Sequence, residues 1–179
     1  MVFTSYNCSV IFDLLEDCKG VKQLPEHHPE GDVFVHSLQV VKYAFKESYD
    51  TDLIFAALLH DIGKKEKVKG HEAIACDWLR DYVSVKTLWL IEHHMRIWYY
   101  ILGDMKKFGK CQYIITHPWL SELIQLARWD KMGRVVGHSP VYSREEIIQK
   151  LNTTANNYFG KKEYQDKEGG MSMKWTKGK

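Results

Sequence analysis

Nowhere does this 179-residue sequence hold an apolar run near the roughly 18 residues that a membrane helix needs. No membrane association is expected. Its first stretch, MVFTSYNCSVIFDLLEDCKG, lacks the basic start, uninterrupted apolar centre and small-residue cleavage site of a signal peptide, so a cytoplasmic protein is the simplest expectation. Cysteine is sparse. Cys8, Cys18, Cys76 and Cys111 form no C-x-x-C pair, which excludes a zinc ribbon and a thioredoxin-like motif and leaves reduced thiols in or near a core. Charge of one sign is missing too: 25 Lys and Arg against 23 Asp and Glu leave +2. Such a balance creates no bulk field for a polyanion, although KKEKVK and KWTKGK are locally basic, so a nucleotide ligand must be held by a site. There is no G-x-x-x-x-G-K-[ST] loop and no G-x-S-x-G elbow, and HEAIA has Ala75 where a zincin would place its second histidine. Strand signals are few, since RVVG and QYII are short and poorly bounded.

What is present fits an ordinary globular chain, 45% hydrophobic and 27% charged. The length suits one core, so residues 1–160 are expected to form one domain and 161–179 a flexible basic tail. The dominant period is helical, and the fold class is read as all-α. Val33, Val40, Val41, Ala44 and Phe45 mark a helix from Val33 to Glu47 with Asp32 as N-cap. Asp52 to Asp61 forms a second, stopped by Gly63 with Lys64 and Lys65 beside its negative end. Further helices are predicted from Glu72 to Tyr82, along SVKTLWLIEHHMRIWYYIL, over HPWLSELIQLARWDKMGR with Pro118 in the first turn, and from Arg144 to Tyr158.

Polar residues interrupt these apolar stripes. His36 shares a stripe with Val33, Val40 and Ala44, His60 with Leu53, Ala56 and Ala57, and Asp130 with Leu123 and Ala127. All three should point inward, where an unpaired charge is very costly. The first two helices are joined by so short a turn that they should pack antiparallel, bringing His36 and His60 within about one helical turn in level. With Asp61 and Asp130 nearby, the set has the chemistry of a divalent-metal site, suited to Ni, Mn, Co, Mg, Fe or Zn. A single stripe histidine is more often a hydrogen-bonded core residue. Four such residues ordered H…HD…D reverse that judgement.

This order resembles the HD superfamily of metal-dependent phosphohydrolases, and most closely the HD domain of bacterial tRNA nucleotidyltransferases, the CCA-adding enzymes. HHPEGDVFVHSLQVV, AALLHDIGK, KGHEAIACDWL, LIEHHMR and LARWDKMGR carry the likeness over about Pro25 to Arg134. The resemblance implies an HD-domain helical bundle with a metal site in its core. His36, His60, Asp61 and Asp130 would be the ligands of one or two divalent ions per chain. His71 and His94, with His93 as the alternative to His94, would complete a second metal site or contact phosphate. Lys64 and Arg134 would bind phosphate, and Asp61, Lys64, His71 and His94 would be the catalytic group. His27 and His28 would sit at the rim. Too few residues precede Pro25 for a nucleotidyltransferase domain, so a free-standing HD domain is expected and CCA addition is not.

The implied function is hydrolysis of phosphate esters in nucleotides or at RNA ends, with 2′,3′-cyclic phosphodiesterase and phosphatase activity the best specific expectation. Alternatives are a nucleotide hydrolase acting on monophosphates, dNTPs or alarmones, a non-catalytic metal-containing regulator that binds nucleotide or RNA, and oxidative chemistry at a di-iron site. The run RIWYYI is expected mainly in the core, with a base-stacking pocket or a homodimer surface as its other uses.

Overall fold

The computed structural model describes residues 5–138, 140 and 142–153. In chain order the helices are α1 (Ser5–Glu16), α2 (Val33–Glu47), α3 (Thr51–Leu59), α4 (His71–Leu79), α5 (Val85–His93), α6 (Ile97–Ile101), α7 (Met105–Phe108) and α8 (Leu120–Met132), with 3-10 turns at Ile62–Lys65 and Gln112–Thr116 and further helix over 144–153. Among the described residues there is no strand, only an isolated antiparallel bridge between Lys22 and Asp32. No helix among them is long and apolar enough to cross a membrane.

Side-chain caps set the starts of the site-bearing helices. The Asp32 carboxylate accepts the Val35 N–H at 3.0 Å with one oxygen and the Gly20 N–H with the other, so it starts α2 and pins the loop before it. Asp50 accepts from Asp52 and Leu53 at the start of α3, and Ser84 accepts from Thr87 at the start of α5. Helix α3 is apolar all round, with Leu53 through Leu59 buried, and such a helix belongs at the centre. Helices α2, α5 and α8 pack against it, so polar residues on their inner faces meet at its C-terminal end.

Several expectations need correction. Helix α3 ends at Leu59, with His60 as its C-cap, and Asp61 leads into the 3-10 turn. Gly63 is not a left-handed stop. It lies inside that turn without positive φ, and a Cβ there would collide with the His71 carbonyl and press on the Ala75 amide. Glycine is needed because α4 approaches that closely. The long stretch after Ser84 is broken into α5 and α6 by a turn at 94–96, and the Glu72 helix spans His71–Leu79. Pro118 precedes α8 instead of entering it, because Trp119 is the N-cap. Helix α1 carries no strong sequence signal, since its apolar residues crowd into one short run; it nevertheless buries Ile11, Phe12 and Leu15. Of RIWYYI, Ile97 is buried and Trp98 and Tyr99 pack on the core, while Tyr100 and Ile101 are exposed. The helix expected from Arg144 is present over 144–153; its continuation to Tyr158 and the tail 161–179 lie outside the described residues.

Candidate metal centre

His36, His60, His71 and His94 are all buried, and each anchors Nδ1 on a backbone carbonyl: Gly133 at 3.1 Å, Ala57 at 3.2 Å, Val68 at 2.8 Å and Ile91 at 2.6 Å respectively. A carbonyl only accepts, so Nδ1 carries the hydrogen and the Nε2 lone pair is left to face inward. The rings form a row, with centroids 5.3 Å apart from His36 to His60, 5.0 Å from His60 to His94 and 5.1 Å from His94 to His71.

Two buried carboxylates face these lone pairs. Asp130 Oδ1 lies 3.1 Å from His36 Nε2. Asp61 Oδ2 lies 3.7 Å from His36 Nε2 and 3.5 Å from His60 Nε2. The other Asp61 oxygen, Oδ1, lies 3.0 Å from His71 Nε2 and 3.7 Å from His94 Nε2, and those two nitrogens are 3.2 Å apart. Thus Asp61 gives one oxygen to each half of the row. The Nε2 atoms of His36 and His60 are buried without any hydrogen-bond partner.

Acceptors converging on acceptors require a proton or a cation between them. Within His36, His60 and Asp130, and again within His60, Asp61 and His94, one ligand atom from each residue lies within 4.8 Å of the others. An ion about 2.0–2.2 Å from each ligand spreads opposing ligands about 4 Å apart, so the donor set fits a divalent cation in both size and chemistry.

Two cations brace the carboxylates from outside. Lys64 Nζ donates to Asp61 Oδ2 at 2.6 Å and to Gln23 Oε1 at 2.8 Å, and lies 3.3 Å from His28 Nε2. Arg134 grips both oxygens of Asp130, at 2.9 and 3.0 Å, and donates to the His27 carbonyl at 3.2 Å. The electrostatics follow. Burial raises the Asp61 carboxyl, but the imidazoles and Lys64 hold it well below the usual carboxylate range; Asp130 is lowered in the same way by His36, His60 and Arg134. Burial drives His60 down to about 3, so it is neutral and its lone pair is free. For His36 burial acts downward as well, yet the Asp130 and Glu30 carboxylates outweigh it and bring the group up to about 9. His71 is raised too, since Asp61 outweighs burial.

The HD domain profile matches residues 33–132. The chain belongs to the HD domain family. It is accordingly a hydrolase of the metal-dependent phosphohydrolase class. Its matches include multifunctional CCA proteins: 41% identity over 64 residues with that of Acinetobacter baumannii, covering 34% of this chain and 16% of the relative; 51% over 45 residues with that of Nitrosospira multiformis, covering 25% and 11%; and 42% over 55 residues with that of Acinetobacter baylyi, covering 31% and 13%. This HD domain chain therefore aligns with no more than about a sixth of the length of these three relatives.

The structure brings together His36, His60, Asp61, His71, His94 and Asp130, with Lys64 and Arg134 touching the carboxylates. It does not bring in His93. That ring stacks on Trp89 at 4.6 Å, and its Nε2 meets the Tyr113 hydroxyl at 3.1 Å. His28 is more than a rim residue, since it links Lys64 to Glu30. Glu30 and Gln23 escaped the sequence reading because both lie in the loop before α2, where no periodicity assigns a facing direction; HHPEGD, so close to His36, was the available signal.

Proposed function

We propose that the chain hydrolyses phosphate esters of nucleotides or RNA ends, with 2′,3′-cyclic phosphodiesters and terminal phosphomonoesters as its substrates in a cytoplasmic setting. The observation carrying this reading is the convergence of four inward-facing Nε2 atoms on two carboxylates, an arrangement that needs a proton or a cation between its members and is braced from outside by Lys64 and Arg134. Kinship with multifunctional CCA proteins supports an RNA end over a free nucleotide.

In this reading His36, His60, Asp61 and Asp130 hold a divalent ion, which when bound lowers the pKa of water and polarises a phosphoryl oxygen. The other steps fall to the chain's own side chains. Asp61 and Asp130 orient the attacking water, and their lowered pKa keeps them ionised as acceptors. Lys64 and Arg134 offset negative charge as phosphate approaches, each already sharing its hydrogen bonds with a carboxylate of the cluster. His71 and His94 face the second oxygen of Asp61, so with Asp61 they would be the residues to hold a second ion, if two bind per chain, or to meet the substrate phosphate.

The test is a panel of divalent ions against cyclic, mono- and triphosphonucleotides and an RNA bearing a 2′,3′-cyclic end, read by phosphate release and product chromatography. Metal-free protein should be inactive and a divalent ion should restore turnover on the cyclic and monoester substrates. Full activity in His60→Ala or Asp61→Ala would overturn the site. Metal content with saturable nucleotide binding and no product would instead favour a non-catalytic regulator.

A further inference from the structure

Glu30 is an enclosed acidic group outside the Asp61 and Asp130 pair. It lies off the helix, two residues before the α2 cap, yet its side chain is only 1% exposed. Gly31 turns the chain there with φ +85° and the Asp32 side chain is held at the start of α2, so the backbone leaving Glu30 is fixed. Its Oε1 lies 2.7 Å from His36 Nδ1 and 2.9 Å from His28 Nδ1, while Oε2 is buried without a partner. A half-satisfied buried carboxylate is costly, and packing alone gives no reason to keep it.

The hydrogen bonds indicate what it does. Lys64 has only hydrogens to give, so His28 Nε2 accepts and His28 Nδ1 carries the hydrogen donated to Glu30. His36 Nδ1 likewise has only acceptors around it, Glu30 Oε1 and the Gly133 carbonyl. His60, His71 and His94 rest Nδ1 on a carbonyl, with Glu72 no nearer than 3.6 Å to that of His71, whereas His36 adds a carboxylate at 2.7 Å, within hydrogen-bond range. A carboxylate behind an imidazole fixes the tautomer and makes the far nitrogen a stronger donor to a cation. Through His28 and Lys64 the same carboxylate also connects to Asp61 Oδ2, which faces the other ring nitrogen of His36.

We propose that Glu30 is a positioning residue that sets metal affinity, holding His36 with its Nε2 lone pair inward and, through His28 and Lys64, holding Asp61 in place. The inference rests on the reading of His36 and Asp61 as metal ligands.

The test measures binding of Mn and Zn ions to metal-free protein by titration calorimetry, with thermal melts of the metal-free chain as the folding control. Glu30→Gln should bind roughly tenfold or more weakly, and Glu30→Asp, which keeps the charge, should recover part of the loss. Binding by Glu30→Gln within twofold of wild type would overturn the inference, as would equal losses in both variants. Should Glu30→Gln fail to fold, nitrogen NMR on zinc-loaded wild type decides. The inference requires a hydrogen on His36 Nδ1 and coordination through Nε2, and the reverse would sink it. The parent reading fails separately: His60→Ala and Asp61→Ala would then bind metal as wild type does, whatever Glu30 does.

Discussion

His93 and His94 are neighbours in sequence, both almost fully buried, and both donate Nδ1–H to a backbone carbonyl, of Trp89 and Ile91 respectively. They differ in what Nε2 meets. For His93 it is the Tyr113 hydroxyl, and the ring joins a stack in which Trp89 lies on His93 at 4.6 Å and on His117 at 3.8 Å. His94 Nε2 faces Asp61 Oδ1 and His71 Nε2. A buried, backbone-anchored histidine is thus not in itself a ligand. The distinction lies in whether the second nitrogen finds a donor or only more acceptors.

The largest effect should come from breaking this contrast outright. Asp61→Ala removes the one group that faces both halves of the histidine row, and it should abolish high-affinity metal binding and lower phosphohydrolase activity by at least about 100-fold, above the range for an outer partner. His93→Ala should keep activity within about threefold while lowering stability by about 1–3 kcal/mol, through loss of the stack and a hydrogen bond. Metal titration, steady-state kinetics and thermal melts on the two variants check both statements. Comparable loss of metal affinity in His93→Ala would erase the distinction.

Next in size is a pH effect confined to the metal-free chain. His36 is raised from its ordinary value to about 9, so the folded state holds that proton more tightly than the unfolded one. The associated stability is fully present below about pH 6.5 and is lost as pH rises through about 9, an effect on the order of 3 kcal/mol. Metal-free protein should therefore melt at falling temperature across that window. On the proposed reading a metal at His36 would replace the proton at Nε2, so the loaded protein should lack this loss, and metal uptake near neutral pH should release protons into the buffer. Identical pH profiles for the two forms would contradict the placement of His36 against Asp130.

Much of the centre was legible because helical periodicity reports facing direction. His36, Asp130 and their apolar stripe partners Val33, Val40, Ala44, Leu123 and Ala127 are all buried. Periodicity fails where helices end. His93 and His94 close a helix that breaks at once, and Glu30 and Gln23 lie in a loop. Gly63 shows a second limit: the sequence marked it as a place where the chain turns, whereas the constraint comes from α4 folding back onto it, a close approach no periodicity reveals. Gly63→Ala tests that constraint. The added methyl meets the backbone that carries His71, so the variant should lose about 1–3 kcal/mol of stability and bind metal more weakly. A thermal melt within error of wild type would mean that the turn and α4 can separate freely.

The smallest expected effect sharpens the comparison most finely. Tyr113→Phe deletes a single oxygen, the one that satisfies His93 Nε2, and keeps the ring that lies edge-on to His93 at 5.6 Å. Tyr113 is about half exposed, so water can replace part of what is lost and the cost should be only about 0.5–1 kcal/mol. The variant takes the hydroxyl from His93 Nε2, leaving that lone pair without its partner, while the Glu92 carboxylate near this ring lies 4.0 Å from Nδ1, the nitrogen already bonded to the Trp89 carbonyl. If a lone pair alone made a ligand, Tyr113→Phe would gain metal affinity at His93, visible as an added binding event in calorimetry. The expected result is unchanged stoichiometry, because the proposed centre depends on the Asp61 carboxylate that His94 faces.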